Sequence, residues 1–336
     1  MGNAKRDTSK LLDIMKEEKN EIVESTFKMV QNFLKNPPLI VWGSGATVSF
    51  GIPSMGALNE RLKKEISDFD IANDNLEIEL GKEKYQDKIP EIKKVIWHEI
   101  NEADKLVLER LTTNNSRDFN GIKLLIQKFI EVHPQVLNIV TTNYDRVLEY
   151  TMSYYDILFT DGFYGKVLSS FNENLFQTKN VVNLIKVHGS LNWFNINGEI
   201  RYVNSCFDNY TPQIIAPGKS KYQEAYNSPY RELIQNADSA IKEASSFLVI
   251  GFGFNDEHLT PRIKTQIKKG IPIVLITKKI TDSAYTELRG AERYILFEEN
   301  SAGQTNVIYK SNNSEIEQSI VLAGDFWQLS KFMEIL

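Results

Sequence analysis

The chain reads PLIVWGSGATVSFGIPS from residue 38 to residue 54, and this stretch decides the fold. It opens with an apolar run of strand length that ends at two glycines, Gly43 and Gly45. Apolar residues beyond Pro53 recur at the spacing of one helical face, which predicts a strand, a glycine-rich turn and a helix. Glycines let a ligand approach the main chain, and amides at a helix start attract phosphate oxygens. The turn therefore predicts phosphate binding, although a tight connection would also explain two close glycines.

Short polar side chains follow the second predicted strand, which spans residues 136–141. Thr142, Asn143 and Asp145 come directly after it, before a helix that begins at Arg146. Asp145 has a structural alternative, because an aspartate that caps a helix contributes about 1 kcal/mol to stability. Asn143 has no such alternative and is the stronger candidate for a functional site.

A histidine and a second glycine loop end two later strands. Residues 181–187 form a predicted strand that ends at His188 and Gly189, and residues 247–250 run into a GFGFND sequence. A histidine at a strand end, beside a glycine, has room to face a cleft and titrates near neutrality, which suits general acid or base chemistry. His258 is assigned to the first turn of the following helix and is given no catalytic role.

Strands that alternate with helices predict an α/β protein with a Rossmann-like, mostly parallel sheet and a ligand cleft at the carboxyl ends of the strands. We predict an amphipathic N-terminal helix within residues 1–36 and one domain over residues 37–336, with a helical insertion at about 67–135. An Asn-Gly pair at residues 197–198 predicts a hairpin. The other predicted elements are a helix at about 256–270, a strand at 271–277, a helical segment near 284–288, short strands around 294–297 and 307–309, and a last helix at 325–335.

Composition narrows the function classes. The chain has 336 residues, 42% of them hydrophobic, and a formal net charge of −5, which gives no electrostatic footprint for direct nucleic-acid binding. Its single cysteine, Cys206, excludes an intrachain disulfide and a multi-cysteine zinc site. No apolar leader and no membrane-spanning run is visible, so we expect a cytoplasmic protein without membrane contact.

Four short blocks resemble, in order, the signature blocks of the sirtuins, the NAD-consuming silent-information-regulator family. The resemblance spans about residues 38–280. The blocks are Gly43-Ser44-Gly45-Ala46-Thr47 with Gly51-Ile52-Pro53-Ser54, then Thr141-Thr142-Asn143-Tyr144-Asp145, then His188-Gly189, and then Gly251-Phe252-Gly253.

The resemblance implies a role for each block. Gly43, Ser44, Gly45 and Ala46 would line the phosphates of NAD, and Gly251 and Gly253, with Thr277 or Lys278, would hold the adenosine half. Asn143 would lie beside the nicotinamide ribose, Asp145 would engage the carboxamide, and His188 would be the general base. The remaining residues assigned to the NAD site are Thr47, Pro53, Ser54, Thr142 and Asn255.

Two departures separate this chain from protein-deacylating sirtuins. Those enzymes carry a four-cysteine zinc ribbon after the histidine block, and an Asp-Phe-Arg sequence where this chain has Ser54-Met55-Gly56. The chain is similar instead to the sirtuin-like domains of bacterial anti-phage systems, which hydrolyse NAD to nicotinamide and ADP-ribose without a metal. This resemblance implies an antiviral NAD hydrolase that forms a homo-oligomer and works with a separate partner such as a HerA-like ATPase or translocase. The alternatives are an NAD-dependent protein deacylase, an ADP-ribosyltransferase, and a non-catalytic scaffold that binds NAD or ADP-ribose.

Overall fold

The structure is a computed structural model that describes residues 20–67, 69, 76–113, 116–133, 135–177, 179–204, 212–216, 227–310 and 316–336. Its helices are α1 (20–33), α2 (Met55–Glu65), α3 (Leu76–Leu80), α4 (Ile89–Thr113), α5 (Asn120–Ile130), α6 (Val147–Tyr154), α7 (Tyr230–Glu243), α8 (Thr260–Ile267), α9 (Asp282–Leu288) and α10 (Leu329–Phe332). Its strands are β1 (Leu39–Trp42), β2 (Val136–Thr141), β3 (Phe159–Thr160), β4 (Phe163–Tyr164), β5 (Leu168–Phe171), β6 (Val181–Lys186), β7 (Gly189–Ile196), β8 (Glu199–Val203), β9 (Pro212–Ile214), β10 (Phe247–Ile250), β11 (Ile273–Ile276), β12 (Tyr294–Ser301), β13 (Gln304–Lys310) and β14 (Gln318–Ala323).

The main sheet carries the α/β character that the sequence predicts. Within the described residues it has nine strands in the order β14-β13-β12-β11-β10-β1-β2-β6-β3. The strands from β12 to β3 are parallel, and β13 and β14 add an antiparallel edge. Chain order reverses between β10 and β1, so the crevice at the carboxyl ends of these strands is the place where this architecture binds ligands.

The central strands are buried on both faces, as their unbroken apolar sequences predict. All four residues of β1, of β10 and of β11 are buried. Alternate residues of β1 enter different cores: Ile40 and Trp42 pack on the face that holds α4, α5 and α6, whereas Leu39 and Val41 pack on the face that holds α7, α8 and α9. The sheet is thus the middle of three layers.

Helices α3 to α5 lie between α2 and β2, in the region where the sequence predicts a helical insertion. The longest of them, α4, is fastened to the rest of the fold by side-chain hydrogen bonds. The indole Nε1 of Trp97 donates to the carbonyl of Leu191 at 2.7 Å, and Asp104 is fully buried against the loop that follows β2. This helix therefore covers one side of the crevice.

A second sheet, with strand order β4-β5-β8-β7-β9, fills the interval after His188. The predicted Asn-Gly hairpin is its β7–β8 pair. Its buried Trp193 packs against Phe163 with ring centroids 4.7 Å apart. The small sheet thus gives β7 a packed support directly after the histidine.

Several predicted boundaries are wrong or incomplete. The helix predicted at about 256–270 begins only at Thr260, because Asp256 accepts the amides of His258 and Leu259 in a turn that precedes it. The last helix is only Leu329–Phe332, and the predictions omit β3, β4, β5 and β14. The part of the predicted N-terminal helix before residue 20, and Cys206, lie outside the described residues. Among the described helices, none combines the length and the apolar character needed to cross a membrane.

Candidate active site

A cavity of about 650 Å³ opens at the carboxyl ends of the central strands, a size typical of ligand pockets. Most residues that the sequence assigns to the site line it. From the loop after β1 and the start of α2 come Ser44, Gly45, Pro53 and Ser54. From the ends of β2 and β6 come Thr142, Asn143, Asp145 and His188. From the ends of β10 and β11 come Gly251, Gly253, Asn255, Thr277 and Lys278.

Gly43, Ala46 and Thr47 lie behind the cavity wall, where the glycines allow two loops to touch. A Cβ atom on Gly43 would lie 2.4 Å from the carbonyl oxygen of Gly251, and one on Gly251 would lie 2.1 Å from the amide of Ala46. The amide of Ala46 donates to the carbonyl of Gly43 at 3.1 Å, and that of Gly45 donates to Gly251 at 2.9 Å. Glycine is therefore required here for loop packing, whatever ligand the cavity takes.

Asn143 is held by its backbone and its amide nitrogen, while its amide oxygen stays uncommitted. The Nδ2 group donates to the carbonyl of Gly43 at 3.1 Å and lies 3.4 Å from Oγ1 of Thr47. The backbone amide donates to Oγ1 of Thr141, whose own hydroxyl donates to Trp42. Oδ1 is buried and accepts no hydrogen bond from any described residue. A buried acceptor without a donor is unfavourable by about 1–3 kcal/mol, so this atom marks a place for a ligand donor or a water.

Asp145 serves both the local backbone and the cavity. Its Oδ2 accepts from the hydroxyl of Thr47 at 3.2 Å, and its Oδ1 accepts from the amide of Val147 at 3.3 Å, at the start of α6. Burial raises the pKa of this carboxyl from 3.8 to about 7, and the positive charge of Lys186 opposes the rise. Near neutrality the group is therefore divided between its acid form, which donates, and its carboxylate form, which only accepts.

A buried lysine fixes the loop that carries Asn143 and Asp145. Lys186, the last residue of β6, has a side chain that is only 1% exposed and pairs with Glu149 at 2.6 Å. Its ammonium group also donates to the carbonyl of Asp145 at 2.6 Å and lies 3.4 Å from that of Tyr144. One charge thus ties the end of β6 to the loop after β2.

A second buried charge, from α4, holds the same loop on its other flank. Both oxygens of Asp104 accept from Arg146, at 2.7 Å from its amide and 2.8 Å from its Nε. The hydroxyl of Tyr150 donates to the same carboxylate at 2.7 Å, and this negative neighbour, together with burial, raises the pKa of the phenol. The position of the loop is therefore overdetermined by two separate ion pairs.

His188 sits at a sharp corner between β6 and β7. Gly189 has φ +86°, and a Cβ atom there would lie 2.3 Å from the carbonyl of Gln213, so only glycine fits after the histidine. The carbonyl of His188 accepts from the amide of Ile215 at 2.9 Å. Its Nε2 lies 3.2 Å from Oδ2 of Asp256, a residue of the loop after β10. The imidazole is thus placed by packing and hydrogen bonds on both sides.

The far side of the cavity is more open. The hydroxyl of Thr281 donates to the carbonyl of Gly253 at 2.7 Å and accepts the amide of Ala284, which starts α9. Lys278 is exposed, and its Nζ lies 3.8 Å from a carboxylate oxygen of Glu299. This side offers backbone, hydroxyl groups and positive charge rather than buried side-chain pairs.

The sequence analysis missed Asp104, Lys186 and Asp256. Lys186 and Asp104 lie in segments read only as a strand and as an amphipathic helix, and nothing in their spacing marks a buried charge. Asp256 had a usable signal, because it follows a glycine loop at a strand end, as Asn143 and His188 follow their strands. Among the described residues, no three histidine, cysteine, aspartate or glutamate side chains are grouped so that they could hold a metal ion.

Comparison with known proteins gives one family match. Residues 137–272 match the family model of the SIR2-like domain, a span that runs from β2 to the start of β11 and contains Asn143, Asp145 and His188. No curated protein is significantly similar to the chain.

Several solved Sir2 structures are similar to this chain. One, from a study of the mechanism and regulation of Sir2 enzymes, is 11% identical, with a TM-score of 0.45 over 93% of this chain and 95% of that one. A Sir2 homologue in complex with NAD is 17% identical, with a TM-score of 0.43 over 77% of this chain and 82% of that one. A Sir2 protein bound to a propionylated peptide is 14% identical, with a TM-score of 0.41 over 76% of this chain and 87% of that one.

Proposed function

We propose that the protein hydrolyses NAD to nicotinamide and ADP-ribose. The observation that carries the proposal is the arrangement in one cavity of the buried acceptor Oδ1 of Asn143, the carboxyl of Asp145 and the imidazole of His188. These groups come from the ends of two parallel strands, beside a glycine loop that also lines the cavity. The match of residues 137–272 to the SIR2-like domain supports the same chemistry.

The cavity fits a dinucleotide laid across the sheet. Its buried end, at β2 and β6, suits the nicotinamide ribose, because hydroxyl groups there would supply the donor that Oδ1 of Asn143 lacks. Asp145 would engage the carboxamide, and either of its protonation states has a partner on that group. The exposed end, at β10 and β11, would take the adenosine half beside Gly253, Thr277 and Lys278. The phosphates would lie between, near Ser44 and Gly45.

Hydrolysis breaks the bond between C1′ of the ribose and the ring nitrogen of nicotinamide. The pyridinium is already a good leaving group and departs as neutral nicotinamide with the bonding electron pair, so no acid is needed. Positive charge develops on the ribose, and a water adds to C1′ and gives up one proton. His188 would accept that proton, or one from a ribose hydroxyl, while Asn143 would orient the hydroxyl or the water. The proton then leaves to solvent.

The decisive test is NAD consumption by His188→Ala and Asn143→Ala variants. We expect each to lower the rate by about 10²–10⁴-fold, the usual contribution of a general base or a comparable positioning group. The matched control is His98→Ala, because His98 is exposed on α4 and does not line the cavity. NAD loss is followed with the purified chain and with the chain co-expressed with its genomic neighbours. Wild-type rates in either site variant would overturn the assigned roles.

Product analysis separates hydrolysis from the alternatives. Mass spectrometry of acylated peptides and candidate acceptor proteins incubated with NAD would reveal deacylation or ADP-ribosylation. If those products form as fast as NAD disappears, the protein is a deacylase or a transferase. Tight binding of NAD without turnover, with neighbours present, would instead identify a non-catalytic scaffold.

The biological setting is proposed from the resemblance described above. An NAD hydrolase with access to the cytosol would kill its host, so we infer a latent state that assembly or a phage-derived signal relieves. The partner would be a HerA-like ATPase, and the chain itself would form a homo-oligomer. Light scattering and co-purification test the assembly, and NAD measured in infected cells tests the anti-phage role.

A further inference from the structure

His188 and Asp256 form a buried pair that joins the two sides of the cavity. Nε2 of the imidazole lies 3.2 Å from Oδ2 of the carboxylate, and the two side chains are only 4% and 3% exposed. His188 follows β6 and Asp256 follows β10, with β1 and β2 between them in the sheet. The pair is thus made only when the loops of both sides meet above the strand ends.

The carboxylate of Asp256 is held in a fixed orientation. Its Oδ1 accepts the amides of His258 at 3.0 Å and Leu259 at 2.8 Å, in the turn before α8. These two bonds account for a structural role as a turn or cap residue, and they use only one oxygen. The second oxygen faces His188, so the turn presents a rigid acceptor to the imidazole.

We propose that Asp256 is a positioning residue that holds His188 in the tautomer with hydrogen on Nε2. In a neutral imidazole one nitrogen donates and the other accepts, so a donor Nε2 makes Nδ1 the acceptor. Proton transfer from the substrate water or ribose hydroxyl then goes to Nδ1. The carboxylate stabilises the imidazolium that results and is not itself protonated, as in serine-protease triads. This inference rests on the proposed function, because it assigns the orientation of the base in that reaction.

Other charged or titratable groups near His188 do not offer the same contact. The ring of His258 has its centroid 6.1 Å from that of His188, in an edge-on arrangement. Lys186, two residues before the histidine, is directed to Glu149 and to the carbonyl of Asp145. The oxygens of Asp145 accept from Thr47 and Val147. Asp256 is therefore the carboxylate in position to select the tautomer.

The first test is the Asp256→Asn variant. Asparagine caps turns as well as aspartate does, so the fold is retained, but its amide can donate to Nε2 and select the wrong tautomer. We expect kcat for NAD to fall by about 10²-fold, the low end for a general base, with KM within about twofold of wild type. The matched control is Asp161→Asn, because Asp161 accepts the amide of Phe163 in a similar turn but does not line the cavity. Equal kcat values for the two variants would overturn the proposal.

A double variant separates positioning of His188 from a general effect on the site. If Asp256 acts through the imidazole, adding Asp256→Asn to His188→Ala lowers the residual rate no further. A further loss of about 10²-fold in that background would show that Asp256 acts independently and would overturn the proposal. Thermal unfolding of each variant checks that the fold is intact.

Nuclear magnetic resonance tests the pair without reference to turnover. The chain has four histidines, so long-range ¹H–¹⁵N correlation spectra resolve each imidazole, and the His188→Ala variant assigns the relevant signals. We expect hydrogen on Nε2 of His188 in the wild-type protein and a changed tautomer in Asp256→Asn. An unchanged His188 spectrum would overturn the inference even if NAD is hydrolysed. The expected spectra without NAD hydrolysis would keep the tautomer assignment and remove the proposed function.

Discussion

The two sides of the cavity are built differently. The side at β2 and β6 carries Asn143 and His188 and is fastened by buried charges, with Lys186 on Glu149 and Asp104 on Arg146. The side at β10 and β11 is formed by glycine loops, hydroxyl groups and the exposed Lys278. Buried ion pairs cost desolvation energy and seldom add much net stability. Their concentration on one side indicates that this side needs a fixed geometry more than the other does.

This difference agrees with the proposed chemistry. Groups that exchange protons with a substrate must be held within a fraction of an ångström, whereas an adenosine half needs only a complementary surface. The His188–Asp256 contact is the one place where the open side reaches the braced side directly through side chains that we assign to catalysis. The following predictions test the contrast between the sides, from the largest expected effect to the smallest.

Substitution of the buried lysine should have the largest effect on stability. Lys186→Met leaves Glu149, which is 14% exposed, without its counter-ion and removes a donor from the carbonyl of Asp145. We expect the free energy of unfolding to fall by about 3 kcal/mol, as for other broken buried pairs. Urea unfolding at neutral pH measures this value, and Lys186→Met combined with Glu149→Gln should recover part of it.

The matched control on the open side is Lys278→Met. Lys278 is 73% exposed and lies 3.8 Å from Glu299, so its removal should change the unfolding free energy by less than about 0.5 kcal/mol. Similar losses for the two lysine variants would contradict the proposed difference between the sides.

The pH dependence of stability should report the burial of Asp145. The unfolded chain loses this proton near pH 3.8 and the folded chain only near pH 7, so the folded state binds more protons between these values. Stability from this group is therefore complete below pH 3.8 and is lost as pH rises through 7, by at most about 4 kcal/mol. The Asp145→Asn variant lacks this titration. Its stability relative to wild type should rise by roughly 3 kcal/mol between pH 5 and pH 8, and a constant difference would contradict the assigned burial.

The glycine loops give the smallest predicted effect. Gly251→Ala places a Cβ atom 2.1 Å from the amide of Ala46 at φ +60°, whereas Gly198→Ala has φ +89° with no atom within 4 Å. Both variants incur the left-handed backbone penalty of about 1 kcal/mol. Gly251→Ala should lose a further 1–3 kcal/mol, roughly the effect of overpacking, in urea unfolding. Equal losses would show that the contact between the loops is dispensable.

Much of the fold was predictable from local sequence. The strands β1, β2, β6 and β10 read as apolar runs of strand length because they are buried on both faces. The two-residue strands β3 and β4 have no such pattern, and β14 is an exposed edge strand that lacks an apolar run. Their hydrogen bonds come from neighbours that are distant in the chain, so periodicity does not reveal them.

The candidate site was predictable to the extent that its residues end strands. Parallel strands bring their carboxyl ends to one edge, so Asn143, Asp145 and His188 could be placed together from order alone. Gly43 and Ala46 were assigned to a ligand, but they contact the other loop, a distinction that depends on a distance of 2.4 Å or less. Lys186 was read as a strand residue because a buried lysine looks the same in sequence as an exposed one.

The sequence by itself determined the α/β class, the strand ends that carry polar groups and the glycines between them, because these follow from the periodicity and chemistry of neighbouring residues. Only the tertiary structure decided that Asp256 faces His188 and that Lys186 and Asp104 brace the loop between them. Each of these contacts joins residues at least 37 positions apart, as the Lys186–Glu149 pair illustrates. Such contacts depend on how the sheet orders its strands, which no local pattern encodes.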